Sequence, residues 1–219
     1  IVNGINMAVQ AFCHPGDTVI VQPPVYYPFF GAVANNGCAL AYNPLVCENG
    51  TYHMNFAQLE EICDKGARML LLCSPHNPGG RVWTRQELEK IADICLSRDV
   101  LIVSDEIHHD LVYEGHGHTM LAGISDDIRQ RSITCTSASK TFNLAGTMTG
   151  NMIIADPDMR ARFQTHMGRC GLYGPNMFGP MAAVAAYTHG APWLDALRGY
   201  LATNRDLVAA AVNQMPGVT

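Results

Sequence analysis

The sequence predicts an α/β fold of three layers, in which a mainly parallel sheet is covered by helices on both faces. Two observations predict it. Short apolar runs without alternation, such as Thr18-Val-Ile-Val21, Arg68-Met-Leu-Leu-Leu-Cys73 and Val100-Leu-Ile-Val-Ser104, read as strands buried on both sides. Segments with helical spacing separate these runs along the whole chain, which is the pattern of βαβ units.

The elements follow in order. Residues 3–13 are expected to be helical, with Ile5, Ala8, Val9 and Phe12 on one face. A Pro15-Gly-Asp17 turn leads into the strand 18–21. Residues 27–35 read as helix, Ala39-Leu-Ala-Tyr42 as strand, and 56–63 as helix. After the run 68–73, Thr84 followed by Glu87 is a capping box that opens a helix to Ser97. Strands are expected at 100–104, 132–136 and 151–155, and helices at 157–166, 176–187 and 193–214. The division expected from this order is a large domain over 1–200, partial on its N-terminal side, with 201–219 starting a smaller C-terminal domain. The chain opens Ile1-Val-Asn-Gly and closes Gln214-Met-Pro-Gly-Val-Thr219, which reads as a piece of a longer protein.

Composition narrows the function classes. The 219 residues are 48% hydrophobic and 15% charged, as in an ordinary globular protein. A net charge of −5 offers no basic footprint for nucleic acid. No apolar run reaches the length of a membrane span. The 8 cysteines form no C-x-x-C pair, and several lie in apolar runs, so reduced core thiols of a cytoplasmic protein are expected rather than disulfides. His108, His109, His116 and His118 are close in sequence, but their spacing fits no closed zinc site, so no metal is expected.

In a parallel sheet, ligands sit beyond the carboxyl ends of the strands. Three candidate residues fall there. Asn77 follows the strand 68–73, Asp105 follows 100–104, and Lys140 follows 132–136 in Ser137-Ala-Ser-Lys-Thr-Phe-Asn-Leu-Ala-Gly146. Each has an ordinary explanation by itself. Lysines are mostly solvated, an aspartate can cap a helix, and Asn-Pro favours turns. Lys140, however, lies among small and hydroxylated residues after an apolar strand, where a desolvated amine with lowered pKa is expected to be a nucleophile towards aldehydes. A lysine, an acid and an amide at strand ends are what pyridoxal phosphate requires, with the lysine joined to its aldehyde and the acid keeping its ring nitrogen protonated. Tyr26 and Tyr27 can pack in a core or stack on such a ring.

Taken together, Gln22-Pro-Pro-Val-Tyr26, Cys73-Ser-Pro-His-Asn-Pro78 with Gly80-Arg-Val-Trp83, Ser104-Asp-Glu-Ile-His108 and Ser139-Lys-Thr-Phe-Asn-Leu-Ala-Gly146 resemble pyridoxal-phosphate enzymes of fold type I. Within the class I/II aminotransferase superfamily the resemblance is to the MalY/PatB group of carbon–sulfur β-lyases, and it runs over essentially the whole chain. It implies the roles that follow. Lys140 is the Schiff-base lysine, Asp105 pairs with the pyridine nitrogen, and Asn77 and His108 contact the ring hydroxyl. Tyr26 stacks on the ring, Ser137 bonds the phosphate, and Ile1 and Val2 bring backbone N–H groups to it at a helix N-terminus. Tyr27 approaches the substrate. Many class I aminotransferases carry an arginine eight residues after the lysine; Met148 stands there, which favours the lyase group. The resemblance also implies a homodimer acting on small amino acids, and a substrate-carboxylate arginine beyond Thr219. Cleavage of cystathionine- or cysteine-type substrates to pyruvate, ammonia and a thiol is the expected reaction. An aminotransferase is the alternative, and a non-catalytic regulator on the same fold the second.

Overall fold

The computed structural model describes residues 1–217; the last two residues of the expected C-terminal segment lie outside them. A six-stranded sheet runs in the order β2-β1-β5-β6-β7-β8, formed by β1 (Thr18–Val21), β2 (Ala39–Tyr42), β5 (Met69–Cys73), β6 (Leu101–Asp105), β7 (Ser132–Thr136) and β8 (Asn151–Ile154). All its pairings are parallel except that of β8 with β7, which is antiparallel.

The central strands are buried on both faces; β5 is apolar throughout, while β6 and β7 also bury Ser104, Asp105, Ser132, Thr134 and Thr136. In β5, Met69, Leu71 and Cys73 point into one core, which they share with Ile5, Val9 and Phe12 of α1 (Val2–Phe12) and with Phe29 of α2 (Pro28–Ala34). Leu70 and Leu72 point into the other, among Leu59 of α3 (Phe56–Asp64) and Leu88 and Ile91 of α4 (Arg85–Leu96). The capping box of α4 is formed as expected. Glu87 N–H donates to the Thr84 hydroxyl at 3.2 Å, and Thr84 N–H donates to the Glu87 carboxylate at 2.8 Å.

The structure adds elements that the sequence reading lacked. β3 (Val46–Glu48) and β4 (Thr51–His53) form an antiparallel hairpin outside the main sheet. Asn49 and Gly50 both take positive φ (50° and 75°) at its turn, and Asn-Gly is the pair such a turn favours. Two short helices flank β7: α5 (Asp126–Gln130) and α6 (Ala138–Thr141). The C-terminal helices are α7 (Pro157–Arg169), α8 (Phe178–His189) and α9 (Ala191–Val212). α9 passes through position 200 without interruption.

Gly190 forms the corner between α8 and α9. A Cβ there would overlap the Ala186 carbonyl and the Phe142 ring, so the corner needs the missing side chain. Gly190→Ala is therefore expected to cost about 1–3 kcal/mol by overpacking, read as a lower urea midpoint with unchanged slope.

Candidate active site

The carboxyl ends of β5, β6 and β7 are in register. Cys73 pairs with Asp105, and Asp105 with Cys135. Neighbouring strands lie about 4.8 Å apart, so the segments after these residues begin side by side. Asn77 follows Cys73 by four positions and Lys140 follows Cys135 by five, which places the amide, the acid and the amine around one opening.

That opening is a cavity of ≈ 470 Å³, lined by Ile1, Val2, Tyr26, Asn77, Asp105, His108 and Lys140 among others. Ser137 and Tyr27 do not line it. Ser137 is buried and committed to its own turn: its hydroxyl accepts from Ser139 N–H at 3.1 Å and donates to the Thr149 carbonyl at 2.6 Å. Tyr27 is 77% exposed.

The Asn77 loop is held from beneath. Trp83 is fully buried and its indole N–H donates to the Cys73 carbonyl at 2.9 Å. Arg81 lies over the Trp83 ring, and its Nη2 donates to both Glu87 carboxylate oxygens at 2.8 and 2.9 Å. Asn77 N–H donates to the Cys73 sulfur at 3.3 Å. Burial pushes the Cys73 thiol up to about 12, so this sulfur is a neutral acceptor.

The segment after Asp105 is fastened by Glu106, which is fully buried. Its carboxylate accepts from the Ser104 hydroxyl at 2.9 Å and from Leu121 N–H at 3.1 Å, and it lies 2.6 Å from His118 Nε2. His109 Nδ1 lies 2.7 Å from the Glu106 carbonyl. These two histidines are thus engaged within the fold, and no metal-holding group of three or more His, Cys, Asp or Glu occurs among the described residues.

Asp105 is only 5% exposed, and among the described residues no ion pair reaches it. Ile107 N–H donates to one of its oxygens at 3.2 Å. Desolvation pushes its carboxyl up to about 6, against an ordinary value of 3.8. A buried carboxylate that makes no ion pair among the described residues and faces a cavity fits a ligand that brings a positive N–H to it. His108 is lowered by burial and then by the Lys140 charge, which keeps its imidazole neutral near pH 7.

Across the cavity stands the start of α1. Ile1 caps it without a side-chain hydrogen bond, and Val2, Asn3 and Gly4 of its first turn line the cavity. The leading N–H groups of a helix have no intrahelical acceptor and bind anions well. A Cβ on Gly150 would stand 2.9 Å from the Ile1 side chain and 3.5 Å from its nitrogen, so the bare glycine keeps this cradle open. Lys140 is the one cationic side chain lining the cavity among the described residues. A phosphorylated ring with a basic nitrogen matches this array: helix N–H groups for its phosphate, Asp105 for its nitrogen, Lys140 for an aldehyde.

The Lys140 side chain is exposed, where the sequence predicts one withdrawn from water. It stands on a helix of four residues at the open mouth of the cavity, where the covering elements leave its side chain in contact with solvent. The sequence reading also missed Cys73, Ser139 and Thr149 as lining residues. Ser139 sits inside the recognised lysine motif. Thr149 lies where only the chain's return along β8 brings it near.

Comparison with known proteins agrees with the geometry. Residues 2–219 match the family model for aminotransferase class I and II. Cystathionine beta-lyase PatB of Bacillus subtilis is 45% identical over all of this chain and 57% of its own length. Protein MalY of Escherichia coli is 33% identical over 95% of this chain and 53% of its own. Cystalysin from Treponema denticola, whose crystal structure contains pyridoxal 5'-phosphate, superposes with a TM-score of 0.91 at 40% identity, over 94% of this chain and 53% of its own. The chain thus spans a little over half the length of these relatives. On its matched length, its parallel sheet and the grouping of its strand-end residues, it belongs to the aminotransferase class I and II family.

Proposed function

We propose that the protein is a pyridoxal-phosphate-dependent carbon–sulfur β-lyase acting on cystathionine- or cysteine-type amino acids. The observation that carries this reading is the convergence of Lys140, Asp105 and Asn77 on one cavity that also receives the bare start of α1. The relatives named cystathionine beta-lyase support the substrate class.

When bound, the cofactor supplies an electrophilic aldehyde carbon and a protonated ring that takes up the electron pair left at the substrate's α-carbon. Lys140 would hold the cofactor through its side-chain amine, and that amine, when free, would act as general base towards the substrate's α-proton. Asp105 would keep the proton on the ring nitrogen, and its burial would strengthen that contact. Asn77 and the neutral His108 would hydrogen-bond the ring hydroxyl, and Tyr26 would offer its aromatic face to the ring. Ile1 and Val2, with Asn3 and Gly4 of the same first turn, would hold the phosphate through backbone N–H groups. Ser137 acts one step back, by capping the turn that carries Lys140 and tying it to Thr149. Tyr27 lies outside the cavity wall and is left to the substrate's approach. Overall the Cα–H and Cβ–S bonds break, the sulfur leaves as a thiol, and water converts the remainder to pyruvate and ammonia.

Incubation of the cofactor-loaded protein with cystathionine, without any keto acid, tests the reading. Continuous pyruvate release is expected. A single turnover that stops would show an aminotransferase, which needs an acceptor to regenerate. Absence of any reaction with cofactor bound would leave the non-catalytic reading.

Tyr173, Met177, Phe178 and Met181 are exposed apolar residues at and just before the start of α8. This supports the homodimer that the resemblance implies, because apolar area of that kind is ordinarily covered. The outer half of α9 is proposed to lead into a second domain. Among the described residues no helix is long and apolar enough to cross a membrane, and a cytoplasmic location is proposed from the free state of all eight cysteines.

A further inference from the structure

We infer that Asp110 is a positioning residue for Lys140, holding the Thr141 hydroxyl and thereby fixing the single turn that carries the reactive amine. This rests on the reading of Lys140 as that amine.

Lys140 makes no side-chain hydrogen bond and no ion pair among the described residues. Its position is therefore set by its backbone. That backbone is α6, four residues long, and one isolated helical turn does not hold itself together. Something outside it must. At its start, Ser137 caps the turn and bonds Thr149. At its end the work falls to Thr141, the residue after the lysine, which is fully buried although Lys140 is exposed.

The Thr141 hydroxyl donates to Asp110 Oδ2 at 2.8 Å. The same oxygen receives the Tyr187 hydroxyl of α8 at 3.3 Å and lies 3.2 Å from His109 Nε2. The Asp110 carbonyl accepts from Arg198 of α9 twice, at 2.9 and 2.7 Å, so the aspartate itself is clamped. Phe142 then seats its ring edge-on against Tyr187 at 5.1 Å, with Trp193 at 6.0 Å. One residue thus joins the segment after Asp105 to the lysine turn and to α8 through its carboxylate, and to α9 through its carbonyl. A charge-assisted bond of this length is directional and strong, and a small displacement of a catalytic group costs far more rate than stability.

The test compares the native protein with Thr141→Val, Thr141→Ser, Asp110→Ala and the double variant Asp110→Ala/Thr141→Val. Each is titrated with pyridoxal phosphate, reduced with borohydride, and the adduct at Lys140 is quantified by mass spectrometry. Thr141→Val and Asp110→Ala are expected to raise the half-labelling concentration about tenfold. Thr141→Ser, which restores the hydroxyl, stays within about twofold, and the double variant is no worse than Asp110→Ala, as one shared interaction requires. Amide hydrogen exchange without cofactor gives an independent measure. Phe142 N–H bonds Ala138 and Leu144 N–H bonds Ser139; both should exchange about tenfold faster in Thr141→Val but not in Thr141→Ser. Native labelling and native exchange in Thr141→Val would overturn the inference, as would a defect in Asp110→Ala that Thr141→Val does not share. If even the native protein shows no adduct at Lys140, the function proposed above fails, and the exchange rates alone decide whether Asp110 anchors the turn.

Discussion

Lys140→Ala is expected to abolish the borohydride-trapped pyridoxal phosphate adduct and to lower pyruvate release from cystathionine by about 10²–10⁴-fold, the range for loss of a positioned general base. Lys140 is the only cationic side chain lining the cavity among the described residues, so no neighbour can replace its amine. Lys140→Arg separates the amine from the charge. A guanidinium keeps the positive charge beside His108 and Asp105 but does not give up its proton, so it serves neither as nucleophile nor as base. Both variants should therefore fail alike in activity. Mass spectrometry of the reduced protein checks the first expectation, and the coupled pyruvate assay the second. An adduct at Lys65 or Lys90 in the native protein would remove Lys140 from its role.

The parts of this site that were legible in the sequence are those where local chemistry and sheet order agree. Asn77, Asp105 and Lys140 could be placed together because each stands at or after the end of a short strand set between helical segments, the pattern of a parallel sheet, and parallel register aligns the strand ends. The roles of Ile1 and Val2 came from the resemblance, since nothing in their spacing points to a phosphate, and for Tyr26 the residue type left core packing and ring stacking both open until the resemblance chose between them. The hairpin at 46–53 went unread although Asn49-Gly50 marks it, because three-residue strands with exposed faces carry no burial pattern. The antiparallel direction of β8 was not legible either. Its residues are less buried than those of β7, and an apolar run does not encode its orientation. The exposure of Lys140 and the anchoring by Asp110 depend on contacts between segments as far apart as 110, 141 and 198. Such contacts follow from the assembled fold and not from any one stretch.

Asp105→Asn is expected to stabilise the cofactor-free protein and to abolish the proposed lyase activity. Burial raises the Asp105 carboxyl from 3.8 to about 6 in the folded state. The unfolded chain therefore releases this proton first as pH rises. Between those values the folded state binds the proton that the unfolded state has lost, so native stability falls with rising pH through that window and the whole cost is present above it. A displacement of this size corresponds to roughly 3 kcal/mol. The asparagine carries no charge to desolvate and keeps an oxygen for Ile107 N–H, so it should recover about 1–3 kcal/mol above pH 6, and nothing below pH 4, where both side chains are neutral. Urea melts of the dialysed proteins at pH 4 and pH 8 measure this directly. Function moves the opposite way. Asparagine cannot supply the negative charge that keeps a ring nitrogen protonated, and the loss of such a preorganised electrostatic group costs about 10²–10³ in turnover. Cofactor should then raise the melting temperature of the native protein more than that of the variant, because only the native carboxylate gains a cation on binding. Equal stability of the two dialysed proteins at pH 8, together with unchanged turnover, would show that the Asp105 carboxylate is neither strained by its burial nor paired with the ring.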